Sequence, residues 1–350
     1  MVNIGIGGSQ LGPQFCIDAF KQQQLPILGF HFISDFDANE CRYVLSKLNP
    51  ETTLFIVSSK SFTTPETLIN YKRALSWLGQ HRFISQHFIA VTAHPDKAKQ
   101  LGINHVIPIW DWVGGRYSLC SAINLITCIA IGYSRFEALL EGARSMDEHC
   151  RNTSMEENIP ILLALLGIWN NNFLKIHNLV MLTYAQVLQW FVPYIQQLDM
   201  ESNGKSIDKQ GRAVNYATGP IVWGGLGNQG QHSYFQLLCQ GTHRVAVDMV
   251  SIDPLDDVDT YQMCSAHKHV LRYGVKEQSN QNGYIPGNVP VNHLRLHDHS
   301  PQSLGALIAL YEHKVFIQSV VWNINAFDQP GVESFKQGMR QLKLSALPVT

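Results

Sequence analysis

The stretch ETTLFIVSSKSFTTPETLINYKRALSWLG, residues 51–79, contains a strand, a hydroxyl-rich loop and a helix in succession. Pro65 suits the first helical turn, where a missing N–H costs nothing, and Glu66 suits the positive end of the helix. Between strand and helix, SSKSFTT (58–64) gathers five hydroxyls and Lys60. Hydroxyls and backbone N–H groups at a helix N-terminus suit a phosphate monoester, and a lysine adds charge. N-capping by Ser or Thr is the competing reading, but a cap uses one hydroxyl.

The same rhythm continues on both sides. VNIGIGGSQLGP (2–13) reads as a strand entering a glycine turn at Gly5, Gly7 and Gly8, followed by a helix in QFCIDAFKQQ (14–23). LPILGFHFIS (25–34), HFIAVT (87–92) and HVIPIW (105–110) read as strands. A second set opens with NIPILLALLGIWNNNFL (158–174) as a buried helix. The strand NLVMLTY (178–184), the strand–glycine loop–helix GPIVWGGLGNQGQHSYFQLLCQGTH (219–243) and the strand RVAVDMVSI (244–252) follow it. Such alternation predicts parallel sheets wrapped by helices. Two α/β units are expected, 1–140 and 141–350, with the polar stretch near 251–290 as an irregular insert.

The 350 residues are 45% apolar and 15% charged, enough for a sizeable core, and the net charge is −1. No basic cluster points to nucleic acid or an anionic membrane. The longest apolar run, IPILLALLGIW (159–169), is too short to span a bilayer. Seven cysteines without a C-x-x-C pair, and no signal-peptide pattern in MVNIGIGGSQ, suit a reduced, cytoplasmic chain. His267/His269 and His297/His299 lack a companion set of ligands and read as surface or packing histidines, so no metal and no cofactor is expected.

Three further loops could hold chemistry, since ligands in doubly wound sheets bind where strand ends meet helix starts. IGIGGSQ allows close backbone approach but lacks the third glycine of a dinucleotide site. WVGGRYS (112–118) sets Arg116 at the start of a helix, SLCSAINLITCIAI, as an anion ligand or a solvated turn residue. GNQGQHS (227–233) sets His232 at a helix start, in a catalytic or a capping role. In DMESNGKS (199–206), NGKS lacks the upstream glycine of a phosphate loop, because that position is Asp199. Leu188, Phe191, Val192 and Ile195 mark an amphipathic helix before it, with Pro193 signalling a kink or a start. If that helix continues, Gln197 and Glu201 share one face just before Asn203-Gly204 ends it, as a solvated helix end or as a working carboxylate.

Taken together, these blocks resemble the glucose-6-phosphate isomerase family, in its order and over nearly the whole chain. VNIGIGGSQLGP, SSKSFTTPET, WDWVGGRYSLCSAI, LLALLGIW, DMESNGKS, GPIVWGGLGNQGQHSYFQLLCQGTH and LGALIALYEHKVFIQSVVWNINAFDQPGVESFK carry the likeness. The resemblance implies two three-layer parallel-sheet domains of SIS, flavodoxin-like type. It implies interconversion of glucose 6-phosphate and fructose 6-phosphate through ring opening and a cis-enediol. By the same resemblance, Glu201 is the proton-transferring base and Arg116 lies beside the reacting carbons. His232 and Lys336 assist ring opening, and Glu66 orients the histidine. Gly8 and Ser9 line the sugar, Gln197 contacts it, and Ser59, Lys60, Ser61 and Thr64 hold the phosphate with Gln329 nearby. A cytoplasmic homodimer in which His232 serves the neighbouring site is implied as well. Against the family pattern, this chain begins at its first motif and lacks the preceding helical segment and the last helix. The insert near 251–290 is short, Gly225 replaces a frequent acid, and ESFK replaces ELGK. The alternatives are a non-catalytic sugar-phosphate module and an inactive fragment.

Overall fold

In the computed structural model, which describes residues 1–25, 27–79, 84–253, 258–275 and 281–344, the apolar runs form strands and the polar breaks form the turns between them. In chain order the first half holds β1 (Val2–Ile4), α1 (Leu11–Ala19), β2 (His31–Ile33), α2 (Ala38–Ser46), β3 (Phe55–Ser58), α3 (Pro65–Leu78) and α4 (Ile84–His87). It continues through β4 (Phe88–Thr92), α5 (Pro95–Gln100), β5 (His105–Pro108), α6 (Leu125–Ile131) and α7 (Tyr133–Asn152). The second half holds α8 (Ile159–Ile168), β6 (Asn178–Tyr184), α9 (Phe191–Gln196), β7 (Ile221–Leu226), α10 (Gly227–Gln231) and α11 (Phe235–Gln240). Then come β8 (Ala246–Ile252), α12 (Val258–Tyr273), β9 (Val291–Leu296), α13 (Pro301–Val321) and α14 (Pro330–Leu344).

Every strand pairing within the two sheets is parallel. The first sheet runs β2-β1-β3-β4-β5, the flavodoxin-like order, and the second runs β7-β6-β8-β9. Helices cover both faces, so β1 and β3 are buried at every position. In the first sheet the strand order reverses between β1 and β3. The loops leaving those two strands diverge there and open a crevice at their carboxyl ends.

A shared core joins the halves. Phe15 of α1 lies 5.3 Å, ring centre to ring centre, from Phe191 and 6.2 Å from Tyr194, both on α9. That contact sets the helix leading to Glu201 against α1, the helix that follows the β1 loop. Residue 140, the expected boundary, lies inside α7, which packs along α13. Gly305 permits the approach, since a Cβ there would meet the Leu139 carbonyl oxygen at 1.9 Å.

Several expectations need correction. The stretch 158–174 is not a buried helix. Pro160, Leu163, Ala164 and Ile168 face inward, while Ile159, Leu162, Leu165, Leu166, Trp169 and Phe173 are exposed. A segment apolar on all sides carries no pattern to say which side is covered. Within 251–290, residues 258–273 are not irregular but form α12, with Cys264, His267 and Leu271 buried on one face; residues 254–257 and 276–280 lie outside the described residues. In LPILGFHFIS only His31–Ile33 is strand, and Pro26 lies outside the described residues. SLCSAINLITCIAI is helical only from Leu125. Before that, the Ser118 and Ser121 hydroxyls donate to the carbonyls of Gly115 and Ser118 and favour short 3-10 turns. Arg116 therefore sits in a 3-10 turn rather than at a helix start. His232 follows the last residue of α10 instead of opening a helix. By length and composition α13 could cross a bilayer, yet it buries Leu307, Ile308, Tyr311, Lys314 and Val315 against its neighbours. All seven cysteines are free thiols; Cys16, Cys41 and Cys264 are buried and Cys120 is exposed.

Candidate functional site

The crevice between the two sheets is a cleft of about 600 Å³ lined by Gly8, Ser9, Ser59, Lys60, Ser61, Thr64, Glu66, Arg116, Gln197, Glu201, Gln329 and Lys336. Five separate stretches of sequence meet in it.

One wall is the turn after β3. Thr64 takes the N-cap position of α3, but its side chain makes no capping bond. Its Oγ1 lies 3.3 Å from Ser59 Oγ, which accepts from the Phe62 N–H at 3.2 Å. Phe62, buried, holds a left-handed φ of 51° and turns the loop back over the helix start. The Lys60 carbonyl accepts from Thr92 Oγ1 at 3.0 Å and from the Ala93 N–H at 3.1 Å. Lys97 Nζ donates to the Ser61 carbonyl at 2.9 Å. The loop is thus braced through its carbonyls, while its hydroxyls and the positive end of α3 border the cleft, an arrangement suited to an anion.

The opposite wall is Gln197–Glu201, a π turn that continues α9. Pro193 lies in the first turn of α9, where it marks the helix start. Gln197 Nε2 donates to Glu201 Oε2 at 2.9 Å, so amide and carboxylate do share a face. Gln197 Oε1 is buried with no partner among the described residues and is available to a hydroxyl donor. Lys205 explains the NGKS that follows. Its Nζ donates to the carbonyls of Glu201, Ser202 and Asn325 at 2.9–3.0 Å, closing the helix end. Burial pushes its pKa down, opposed by Asp328 at 3.4 Å.

Arg116 joins the walls. It is 2% exposed, and its Nη1 lies 3.4 Å from Glu201 Oε2. Nε donates to Ser202 Oγ at 2.7 Å and Nη1 to Gln329 Oε1 at 3.1 Å. Nη2 donates to the carbonyls of Asp328, at 3.0 Å, and Ala326. A planar, fully engaged guanidinium of this kind is a fixed positive charge beside a carboxylate. Gly8 packs against the backbone beneath it, since a Cβ there would meet the Gly115 carbonyl at 2.0 Å. Chemically, the cleft offers an anion seat at one end and, at the other, a carboxylate paired with a buried cation.

Lys336 reaches the cleft from the exposed helix α14, which also brings Glu333. His232 is exposed and is not among the lining residues. Glu66 lines the cleft, and its Oε2 is buried with no partner among the described residues. Sequence reasoning missed Ser202, which orients Arg116, and Thr67 and Glu333, which line the cleft. Position was the available signal, since Ser202 adjoins Glu201 and Thr67 lies one residue beyond Glu66. Of the paired histidines, His267 is buried between Tyr184 and Gln231 at 2.9 Å each, and His299 stacks on Phe20.

Residues 1–346 match the family model described as Phosphoglucose isomerase. The glucose-6-phosphate isomerase of Legionella pneumophila (strain Lens) is 61% identical over 346 residues, spanning 99% of this chain and 69% of that protein. The crystal structure of a glucose-6-phosphate isomerase from Chlamydia trachomatis superposes with a TM-score of 0.91 at 35% identity, covering 99% of this chain and 70% of that one. A tagatose-6-phosphate ketose/aldose isomerase from Escherichia coli shares the fold, with a TM-score of 0.56 at 12% identity over 94% of this chain and 84% of that one.

Proposed function

The chain belongs to the phosphoglucose isomerase family, and we propose that Glu201 is the base with which it interconverts glucose 6-phosphate and fructose 6-phosphate. The observation that carries this assignment is the Glu201 carboxylate, 3.4 Å from the buried Arg116 guanidinium and held by Gln197 in the same cleft as the hydroxyl loop.

The phosphate binds at Ser59, Lys60, Ser61 and Thr64 with Gln329 nearby, and Gly8 and Ser9 line the sugar. Lys336 and His232 assist ring opening. In the open chain Glu201 takes the C2 proton, Arg116 stabilises the oxygen charge of the enediolate, and Glu201 returns the proton to C1. One carboxylate serves both transfers because the carbons are adjacent. Binding the remote phosphate supplies orientation.

His232 acts in the site of a second copy, so the working form is a homodimer, and the chain is cytoplasmic. Two features support the shared site: His232 is exposed outside its own cleft, and Glu66 Oε2 is buried there with no partner among the described residues. The chain divides into two sugar-phosphate-isomerase-type units, 1–140 and 141–350, with the junction inside α7.

Coupled turnover of purified chain tests the proposal. Glu201→Ala and His232→Ala should each be inactive, and refolding them together should restore up to about a quarter of the activity, because half the dimers are mixed and each has one intact site. No recovery in confirmed dimers would place all site residues on one chain.

A further inference from the structure

Asp199 lies two residues before Glu201 and is fully buried. Its Oδ2 meets Lys314 Nζ at 2.8 Å, with the two side chains 0% and 2% exposed. Burying two charges costs desolvation that their attraction repays poorly, so such a pair is a weak source of stability, and its best-attested use is to fix register. Here the pair ties the π turn Gln197–Glu201 to α13. Asn203 reinforces the tie, with Nδ2 at 3.4 Å from Asp199 Oδ1, 3.3 Å from the Val315 carbonyl and 3.4 Å from Gln318 Oε1.

Residues two apart on a helix point to opposite sides, because each step turns about 100°. A side chain at 199 drawn into the core therefore swings the one at 201 outward, here into the cleft. A π turn holds one residue more than an α turn and is frequent at functional sites, although the chain has another at Trp169–Phe173, away from the cleft. If it relaxed to α-helical winding, the direction of Glu201 relative to α9 would change by tens of degrees. We infer that the buried Asp199–Lys314 pair is a rotational pin whose role is to aim Gln197 and Glu201 at the substrate. This inference rests on Glu201 being the base.

Two variants separate aim from stability. Asp199→Leu combined with Lys314→Met replaces the charges by apolar groups, which generally preserves folding. It should melt near wild type yet lose roughly 10- to 100-fold in kcat, with KM and inhibition by inorganic phosphate within about twofold. Asp199→Asn keeps a hydrogen bond to Lys314 but strands its charge. It should melt lower while retaining kcat within about fivefold. A folded double variant with wild-type kcat overturns the pin, as does a parallel loss of kcat, KM and phosphate inhibition. Glu201→Gln is assayed alongside. If that variant is active, the base assignment fails; if it is inactive while the double variant is fully active, the pin alone fails.

Discussion

Gly8→Ala is a one-carbon change whose effect can be worked from distances. The added Cβ would lie 2.0 Å from both the carbon and the oxygen of the Gly115 carbonyl, and 2.7 Å from the Arg116 backbone nitrogen. Ordinary contact begins near 3.4 Å, so the two backbones must part by about 1.4 Å. No flexible side chain can absorb that movement. Arg116 resists it from the other side through its bonds to Ser202, Gln329 and the Asp328 and Ala326 carbonyls. The strain is therefore shared between the β1 loop and the guanidinium that faces Glu201. A misplacement of about 1 Å costs on the order of 10²-fold in rate, or about 2.7 kcal/mol of transition-state stabilisation. Overpacking costs roughly 1–3 kcal/mol of stability, which should lower Tm by a few degrees. A coupled assay and a thermal melt on one preparation measure both. Turnover within about threefold of wild type with an unchanged melt would refute the claim that this backbone contact positions Arg116.

Alanine at Ser59, Ser61 and Thr64 together should raise KM and weaken inhibition by inorganic phosphate in parallel, by about tenfold or more, with a smaller effect on kcat; steady-state kinetics with phosphate as inhibitor checks this. Lys205→Met should cost about 1–3 kcal/mol in a denaturant melt by orphaning three carbonyls. Burial raises the Glu312 carboxyl from 4.5 to about 7, with Asp147 adding to the rise and the Tyr194 hydroxyl opposing it. Between those values the folded state binds more protons than the unfolded state, so stability is highest at the acidic end and falls as pH rises towards 7. Glu312→Gln should flatten Tm across that window, and an unchanged slope would contradict the assignment.

The sheets were readable because strands buried on both faces are written as unbroken apolar runs, as in Phe55–Ser58. The loop between β3 and α3 was readable because a run of hydroxyls separates the apolar strand from Pro65 at the helix start. Composition did not show that Arg116 would leave its predicted helix start, since that depended on two serine hydroxyls bonding to nearby carbonyls. It also hid the face of α8, which is apolar all round, and it hid α12, whose polar residues mask a buried row of Cys264, His267 and Leu271. Gln197 and Glu201 did pair as their spacing implied, although through a π turn that no local propensity announces. Long-range partners such as Ser202 for Arg116 became visible only once the two sheets were set against each other.

The fate of the C2 hydrogen tests the central claim most directly. Glucose 6-phosphate carrying deuterium at C2 would be converted in light water, with label at C1 and in solvent followed by NMR, for wild type and Glu201→Gln. The amide keeps the shape and hydrogen bonding of the carboxylate but not its basicity. Wild type should deliver part of the label to C1 and lose part to water, and Glu201→Gln should slow both by at least about 10²-fold while still binding phosphate. If Glu201→Gln moves the label at close to the wild-type rate, Glu201 is not the base.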